Sequence, residues 1–302
     1  MIPEESLAAS SSQIIANNAG TLDLEGLPLY VDVEHIDEYP NEIYALIRKH
    51  GLGTSDSSIL LGVNPYETLE ELIPSKVRPY LTQEEKEIGE KDAVKRGRDC
   101  EPIIIDKHSK LMRRRIIKPT DMYVHKDYPW IKFNFDGVID KPSGSNQYIP
   151  DEIKTISMYG MKHWDTTKAY FSERWGLRDV PENYSKLDVS IQNKASMYGV
   201  PPYYYTQLQQ QILGLNAPFG YLTILFDKTW ELHSYLIWRD EKTINELILQ
   251  GYKAWQRICT LAHDENYAVV PKELLEQKGA VTENDNSRTE DNSTSPSSGL
   301  WL

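Results

Sequence analysis

Cysteine is nearly absent from this chain. Only Cys100 and Cys259 occur in 302 residues, far apart and forming no C-x-x-C pair. They supply neither a disulfide framework nor the ligand set of a zinc or iron–sulfur site, and they fit a reducing compartment. Long hydrophobic runs are missing too, since none approaches the ~20 apolar residues that span a bilayer. The acidic, Ser-rich start has neither the basic nor the apolar region of a signal peptide. A cytoplasmic protein without membrane association is therefore expected. Positive charge is in short supply: 33 Lys and Arg stand against 45 Asp and Glu, a formal net charge of −12. That balance excludes a protein that coats nucleic acid through overall basicity. A local basic surface is still allowed, because Lys107, Lys110, Arg113, Arg114, Arg115 and Lys118 fall within twelve positions that hold no acid.

What the chain does have is a hydrophobic fraction of 40%, enough for a substantial core. Residues 1–28 are rich in Ser, Ala and Asn and are expected to be flexible; beyond about residue 280 the composition turns to Asn, Ser, Thr, Asp and Glu, the signature of a disordered acidic tail (280–302). One domain over 29–279 is expected between them.

Its centre is the stretch Trp130 to Ser157. WIKFNFDGVID alternates and is rich in Ile, Phe and Val, KPSGSNQ is turn-forming, and YIPDEIKTIS resumes the alternation. This is the pattern of a hairpin. Side chains at i and i+2 share a strand face, so Glu152 and Lys154 project together, while Asp151 and Ile153 point the other way. If Asp136 faces Glu152 across the pairing, two carboxylates and an ammonium share one face. Two close carboxylates repel unless a cation lies between them. A hard divalent ion such as magnesium relieves that repulsion, and a lysine beside it can position or deprotonate a bound water. The chemistry suggested is metal-assisted phosphodiester hydrolysis. The bland alternative is Glu-x-Lys on a solvated strand face beside a stray Asp.

The remaining elements follow in order. Asn41 to His50 reads as a short helix with Arg48 near its end and Gly51 at the stop. Thr54, Ser55 and Asp56 are N-cap residues for the next helix, or a phosphate-receiving helix start. Residues 82–112 read as helical. Glu101, beside Ile103 to Ile105, needs a partner there: a salt bridge to Arg98 or Lys107, or a metal. Residues 158–202 are polar and aromatic without a clean period, an irregular insertion over the site. Residues 203–215 read as a helix with a buried stripe of Tyr205, Leu208, Ile212 and Leu215, placing Gln207, Gln210 and Gln211 off that stripe and Gln209 next to it. GYLTILFD and ELHSYLIWR form a second hairpin, and Glu241 to Leu261 a closing amphipathic helix.

The succession of helix, Gly-x-Ser helix start, Glu-bearing helix, Asp hairpin with Glu-x-Lys, Gln helix, hairpin and final helix resembles the YqaJ-type viral recombinase family over roughly residues 40–260. That family is similar to the exonuclease of phage lambda and to the PD-(D/E)XK nucleases. The resemblance implies an α/β (α+β) restriction-endonuclease-like core, a mixed central sheet flanked by helices. It implies that Asp136, Glu152 and the carbonyl of Ile153 hold magnesium (manganese as the substitute) while Lys154 serves the attacking water. Glu101, matching the Glu of a Gly-Arg-x-x-Glu helix in GRDCE, becomes a further ligand of a two-ion site. Gln209, with Gln207 as the alternative, orients the site. Arg48 and Ser55, spaced by KHGLGT, match the residues that receive a 5′-phosphate. The implied activity is 5′-to-3′ digestion of linear double-stranded DNA from its ends, leaving 3′ overhangs for homologous recombination of the phage type. The implied setting is the cytoplasm of a bacterial host, from a phage or prophage gene. The implied partners are DNA ends, a single-strand annealing protein and other copies of the chain in a ring trimer. An endonuclease of the same superfamily and a non-catalytic DNA-binding module are the competing readings.

Overall fold

The computed structural model describes residues 31–34, 48–49, 51–78, 81–88, 91–119, 121–139 and 148–264. The expected flexible start, the acidic tail and the KPSGSNQ turn lie outside them, as does most of the expected helix from Asn41 to His50, of which Arg48 and Lys49 are helical.

The alternating segments become the strands of a seven-stranded sheet. In chain order these are β2 (Ile116–Ile117), β5 (Gly137–Ile139), β6 (Ile149–Ile156), β7 (Phe171–Ser172), β8 (Gly176–Leu177), β9 (Phe219–Phe226) and β10 (Leu232–Trp238). Their spatial order is β2-β5-β6-β9-β10-β7-β8. Only β6 and β9 pair in parallel, with Glu152 opposite Leu222 and Lys154 opposite Ile224; every other neighbouring pair is antiparallel. A parallel pair needs a crossover, and here the crossover contains two helices, α5 (Ile191–Tyr198) and α6 (Pro202–Gly214). A smaller sheet, β1 (Val31–Glu34), β3 (Met122–His125) and β4 (Lys132–Phe133), lies in the order β1-β3-β4.

The amphipathic segments become helices α1 (Ser57–Leu60), α2 (Leu69–Val77), α3 (Gln83–Ile88), α4 (Asp92–Met112) and α7 (Glu241–Asp264), besides α5 and α6. Alternation on β6 sends its residues to two different helices. Ile153 packs with Cys100 and Ile104 of α4 and with Leu225 and Leu232. The opposite face of β6 meets α6, whose Leu208 and Ile212 are fully buried in the main core with Leu222, Ile224 and Ile237. The result is the expected mixed sheet flanked by helices.

Four expectations change. The segment from Trp130 to Asp140 is not one strand: β4 pairs with β3 in the small sheet, and the chain crosses Asn134, Phe135 and Asp136 before β5 joins the large one. Residues 158–202 do more than cover the site, because β7 and β8 extend the large sheet at β10. The glutamine helix is buried nearly all round, with Gln209, Gln210 and Gln211 inaccessible, because it lies between the sheet and α1, α5 and α7. The basic run is partly neutralised by pairing: Lys107 with Glu173, Lys110 with Asp106 and Lys118 with Glu101.

The approach of α6 to the small sheet is close enough to require glycine. A Cβ at Gly214 would stand 2.8 Å from the ring of Phe133, itself fully buried. Gly214→Ala is expected to destabilise the protein by about 1–3 kcal/mol, as overpacking of a rigid core does. Urea unfolding checks this, and an unchanged midpoint would refute the tight contact.

Candidate active site

The β5–β6 register decides the site. Gly137 pairs with Asp151, Val138 with Pro150 and Ile139 with Ile149, so each pair sums to 288. One step further, Asp136 stands opposite Glu152. Its carboxylate Oδ2 accepts hydrogen bonds from the Ile153 N–H at 3.1 Å and from Lys154 Nζ at 3.1 Å. Lys154 Nζ also contacts Glu152 Oε1, so one ammonium bridges the two acids. The Glu152 side chain is fully buried, whereas those of Asp136 and Lys154 are 30% and 24% exposed. The set therefore opens to solvent on one side only.

Burial pushes the Glu152 carboxyl well above the usual carboxylate range; the nearby Asp136 charge adds to this, and Lys154 and Gln211 oppose it. Burial alone would lower Lys154, but the Asp136 and Glu152 carboxylates outweigh it and raise the ammonium above its ordinary value. Lys154 is thus held here as a cation that donates to Asp136 and contacts Glu152.

The donor set suits a hard divalent ion. Glu152 Oε1 is buried and accepts no hydrogen bond beyond its ion contact with Lys154. In a strand, the N–H and C=O of one residue leave on the same edge, so the Ile153 carbonyl leaves toward Asp136, as its N–H does. Two carboxylates and a carbonyl, with water completing the shell, are ligands that Mg²⁺ accepts. The third carboxylate is not with them. Glu101 lies on α4, which packs on the Asp151 and Ile153 face of β6, and its Oε1 pairs with Lys118 Nζ at 2.6 Å rather than with Arg98 or Lys107. Among the described residues, no group of three or more His, Cys, Asp or Glu is gathered to hold a metal.

The glutamine at the site is Gln211. Its Nε2 donates to Glu152 Oε2. Gln209 is occupied elsewhere, donating to the Trp238 carbonyl at 2.8 Å and accepting from the Asp240 N–H at 2.9 Å. Gln207 is half-buried. A sequence signal for Gln211 existed, because Tyr204, Leu208 and Gln211 recur at i, i+4 and i+7 on one helix face, and the Tyr204 ring lies 5.8 Å from Lys154 Nζ.

The expected phosphate-receiving residues sit on a braced turn. Ser55 is exposed in a 3₁₀ turn, Thr54–Asp56, and Arg48 is exposed just upstream. Asp56 caps the turn by accepting from the Gly53 N–H at 2.8 Å and pairs with Lys76 at 2.5 Å. Behind the turn, Ser57 Oγ donates to Thr206 Oγ1 of α6 at 3.3 Å. The same helix thereby braces both Ser55 and Glu152.

A raised carboxyl ties stability to pH. Protonated Glu152 contributes stability that is fully present below the unfolded carboxylate value and is lost as pH rises through its elevated folded value. The metal-free protein is therefore expected to weaken over that interval. Glu152→Gln is expected to flatten this loss and raise the melting temperature at neutral pH, measured by calorimetry. Magnesium binding by the wild type is expected to release protons, seen as an apparent enthalpy that depends on the buffer; a binding heat independent of the buffer would contradict the raised carboxyl.

No curated protein matches the chain. Among solved structures it is similar to an alkaline exonuclease from Laribacter hongkongensis, at 14% identity and a TM-score of 0.48 over 78% of this chain and 96% of that one. The same enzyme in complex with dAMP gives 13% identity and a TM-score of 0.48, over 78% and 97%. A phage-related exonuclease from Haemophilus somnus 129PT gives 12% identity and a TM-score of 0.42, over 71% and 96%. The family model of the YqaJ-like viral recombinase domain matches residues 44–213, which is 170 of the 302 residues, and the chain belongs to that family.

Proposed function

We propose that this protein, a nuclease by its family, is a magnesium-dependent exonuclease that digests one strand of linear double-stranded DNA from a 5′ end, leaving a 3′ overhang for recombination. The observation that carries the reading is the Lys154 ammonium held between Asp136 and buried Glu152 on the open face of the hairpin. Asp136, Glu152 and the Ile153 carbonyl would hold the ion. When bound, Mg²⁺ lowers the pKa of its water and neutralises charge on the phosphate. Manganese, with the same preference for oxygen ligands, is the expected substitute.

The chain's own groups do the rest. Lys154 Nζ, held beside both acids, would donate a hydrogen bond that orients the attacking water or a non-bridging phosphate oxygen. Gln211 Nε2 donates to Glu152 Oε2 and so fixes the carboxylate that would hold the ion. Glu101 takes no part in this arrangement while it is bound to Lys118. At the entrance, Arg48 and Ser55 receive the 5′-phosphate, because a guanidinium pairs with phosphate through charge-assisted hydrogen bonds. Such a pocket favours a phosphorylated end over an internal position. The ring trimer, the annealing partner and the cytoplasm of a phage-carrying host belong to the same reading. Consistent with it, no helix among the described residues is long and apolar enough to cross a membrane.

Linear duplex with and without a 5′-phosphate, and circular duplex, are the test substrates in magnesium. End-dependent loss of one strand is expected, with Lys154→Ala reducing it at least 100-fold and leaving the circle untouched. Arg48→Ala is expected to remove the preference for phosphorylated ends while metal binding by calorimetry is unchanged. Cleavage of the circle would instead make the protein an endonuclease, and metal-dependent binding without cleavage of either substrate would make it a DNA-binding module.

A further inference from the structure

A row of aromatic rings runs from the solvent to Lys154. Tyr66, 83% exposed, meets Tyr203 edge-on at 6.2 Å between centroids. Tyr203 meets Tyr204 at 4.5 Å, and the Tyr204 ring lies 5.8 Å from Lys154 Nζ. Behind them Trp164 stacks on Tyr204 at 5.5 Å and meets buried Tyr235, also at 5.5 Å. The row is thus anchored in the core at one end and bare at the other.

The bare end is also held in place. The Tyr66 and Glu67 N–H groups donate to Asn64 Oδ1 at 2.8 and 2.9 Å, Asn64 Nδ2 donates to Ser58 Oγ at 2.8 Å, and Ser58 Oγ donates to the Ser55 carbonyl at 3.4 Å. Tyr66 is therefore mounted on the same turn as Ser55, and the row spans the interval between that turn and the hydrolytic lysine. At 83% exposure the Tyr66 ring buries little apolar surface, so its edge contact with Tyr203 leaves a face open to a ligand. Unpaired nucleobases do stack on such rings, with little regard to sequence.

We infer that Tyr66 and Tyr203, backed by Tyr204 where it is packed between Trp164 and Lys154, form a stacking platform for unpaired nucleobases at the 5′ end of the strand being digested. The inference rests on the exonuclease reading above and adds a base subsite to it. A terminal phosphate held near Ser55 and a scissile phosphate near Lys154 leave the intervening bases over the tyrosines. Every base has a π-face, so the platform would hold the end in register without choosing a sequence.

The test uses the full chain, with calcium replacing magnesium to prevent cleavage, and a 5′-phosphorylated duplex whose first three nucleotides are unpaired. Each of the three is made abasic in turn, and affinity is read by fluorescence anisotropy. In the wild type, at least one abasic position is expected to weaken binding about 10-fold. Tyr66→Ala is expected to lose about the same factor on the intact end and nothing more on that abasic end, while Tyr66→Phe retains affinity and Tyr66→Leu does not. Because Tyr66 is exposed, these variants should fold, which circular dichroism verifies. Equal binding by Tyr66→Ala and wild type, or a loss that persists undiminished on every abasic end, would overturn the platform. Digestion of linear duplex in magnesium is run alongside: a wild type that digests normally while Tyr66 proves inert removes the platform alone. A wild type that cuts no linear duplex removes the exonuclease reading and the platform with it.

Discussion

Two acids and one lysine brought onto a single strand face are the constraint around which this structure is arranged. Glu152 is fully buried, Asp136 stands across from it, and the Lys154 ammonium contacts both. A buried carboxylate beside a second one is unfavourable in a metal-free fold, and its raised proton affinity expresses that cost. The rest of the protein has to hold these groups where they would not settle by themselves. A divalent cation at these acids, as proposed, would relieve that cost.

The holding is done largely by α6. Successive helix positions point about 100° apart, so Gln209, Gln210 and Gln211 address three separate elements. Gln209 ties the end of β10 to the start of α7 through Trp238 and Asp240. Gln210 donates to the carbonyls of Leu52 and Lys132, at 3.0 and 3.3 Å, joining the segment before α1 to β4. Gln211 reaches Glu152. Close to this hub, buried Lys194 bonds Asp240, which also accepts from Tyr205 and Thr243, so α5, α6 and α7 share one satisfied polar cluster. Amides suit this task because each offers both a donor and an acceptor without a net charge to bury.

On the reverse face of β6, Asp151 is held by His108 Nδ1 at 2.7 Å and Thr223 Oγ1 at 2.6 Å, all inaccessible to solvent. Neighbouring acids on one strand thus have opposite surroundings. Asp151 is satisfied by α4 and β9, while Glu152 meets Gln211 and the partly exposed Lys154. This division separates a carboxylate held within the core from the one proposed to hold the ion, and it follows from strand alternation.

Much of this was legible in the residues themselves. The Asp136 to Lys154 hairpin, the turning away of Asp151, the β9–β10 hairpin, the closing helix and the order of elements followed from periodicity and turn chemistry, which act between near neighbours. Tertiary packing decided what those local rules cannot reach. Gln211 rather than Gln209 meets Glu152 because α6 is covered on most of its surface, so a polar pattern that reads as solvated is buried against a partner 59 positions away. Glu101 pairs with Lys118 because α4 lies on the reverse face of β6. The aromatic row from Tyr66 to Lys154 exists only because the loop before α2 and the first turn of α6 meet in space. The sequence by itself determined which chemical groups share a strand face, since adjacent side chains alternate whatever the fold. Their third and fourth partners came from tertiary structure, because contacts across distant elements depend on how whole layers pack.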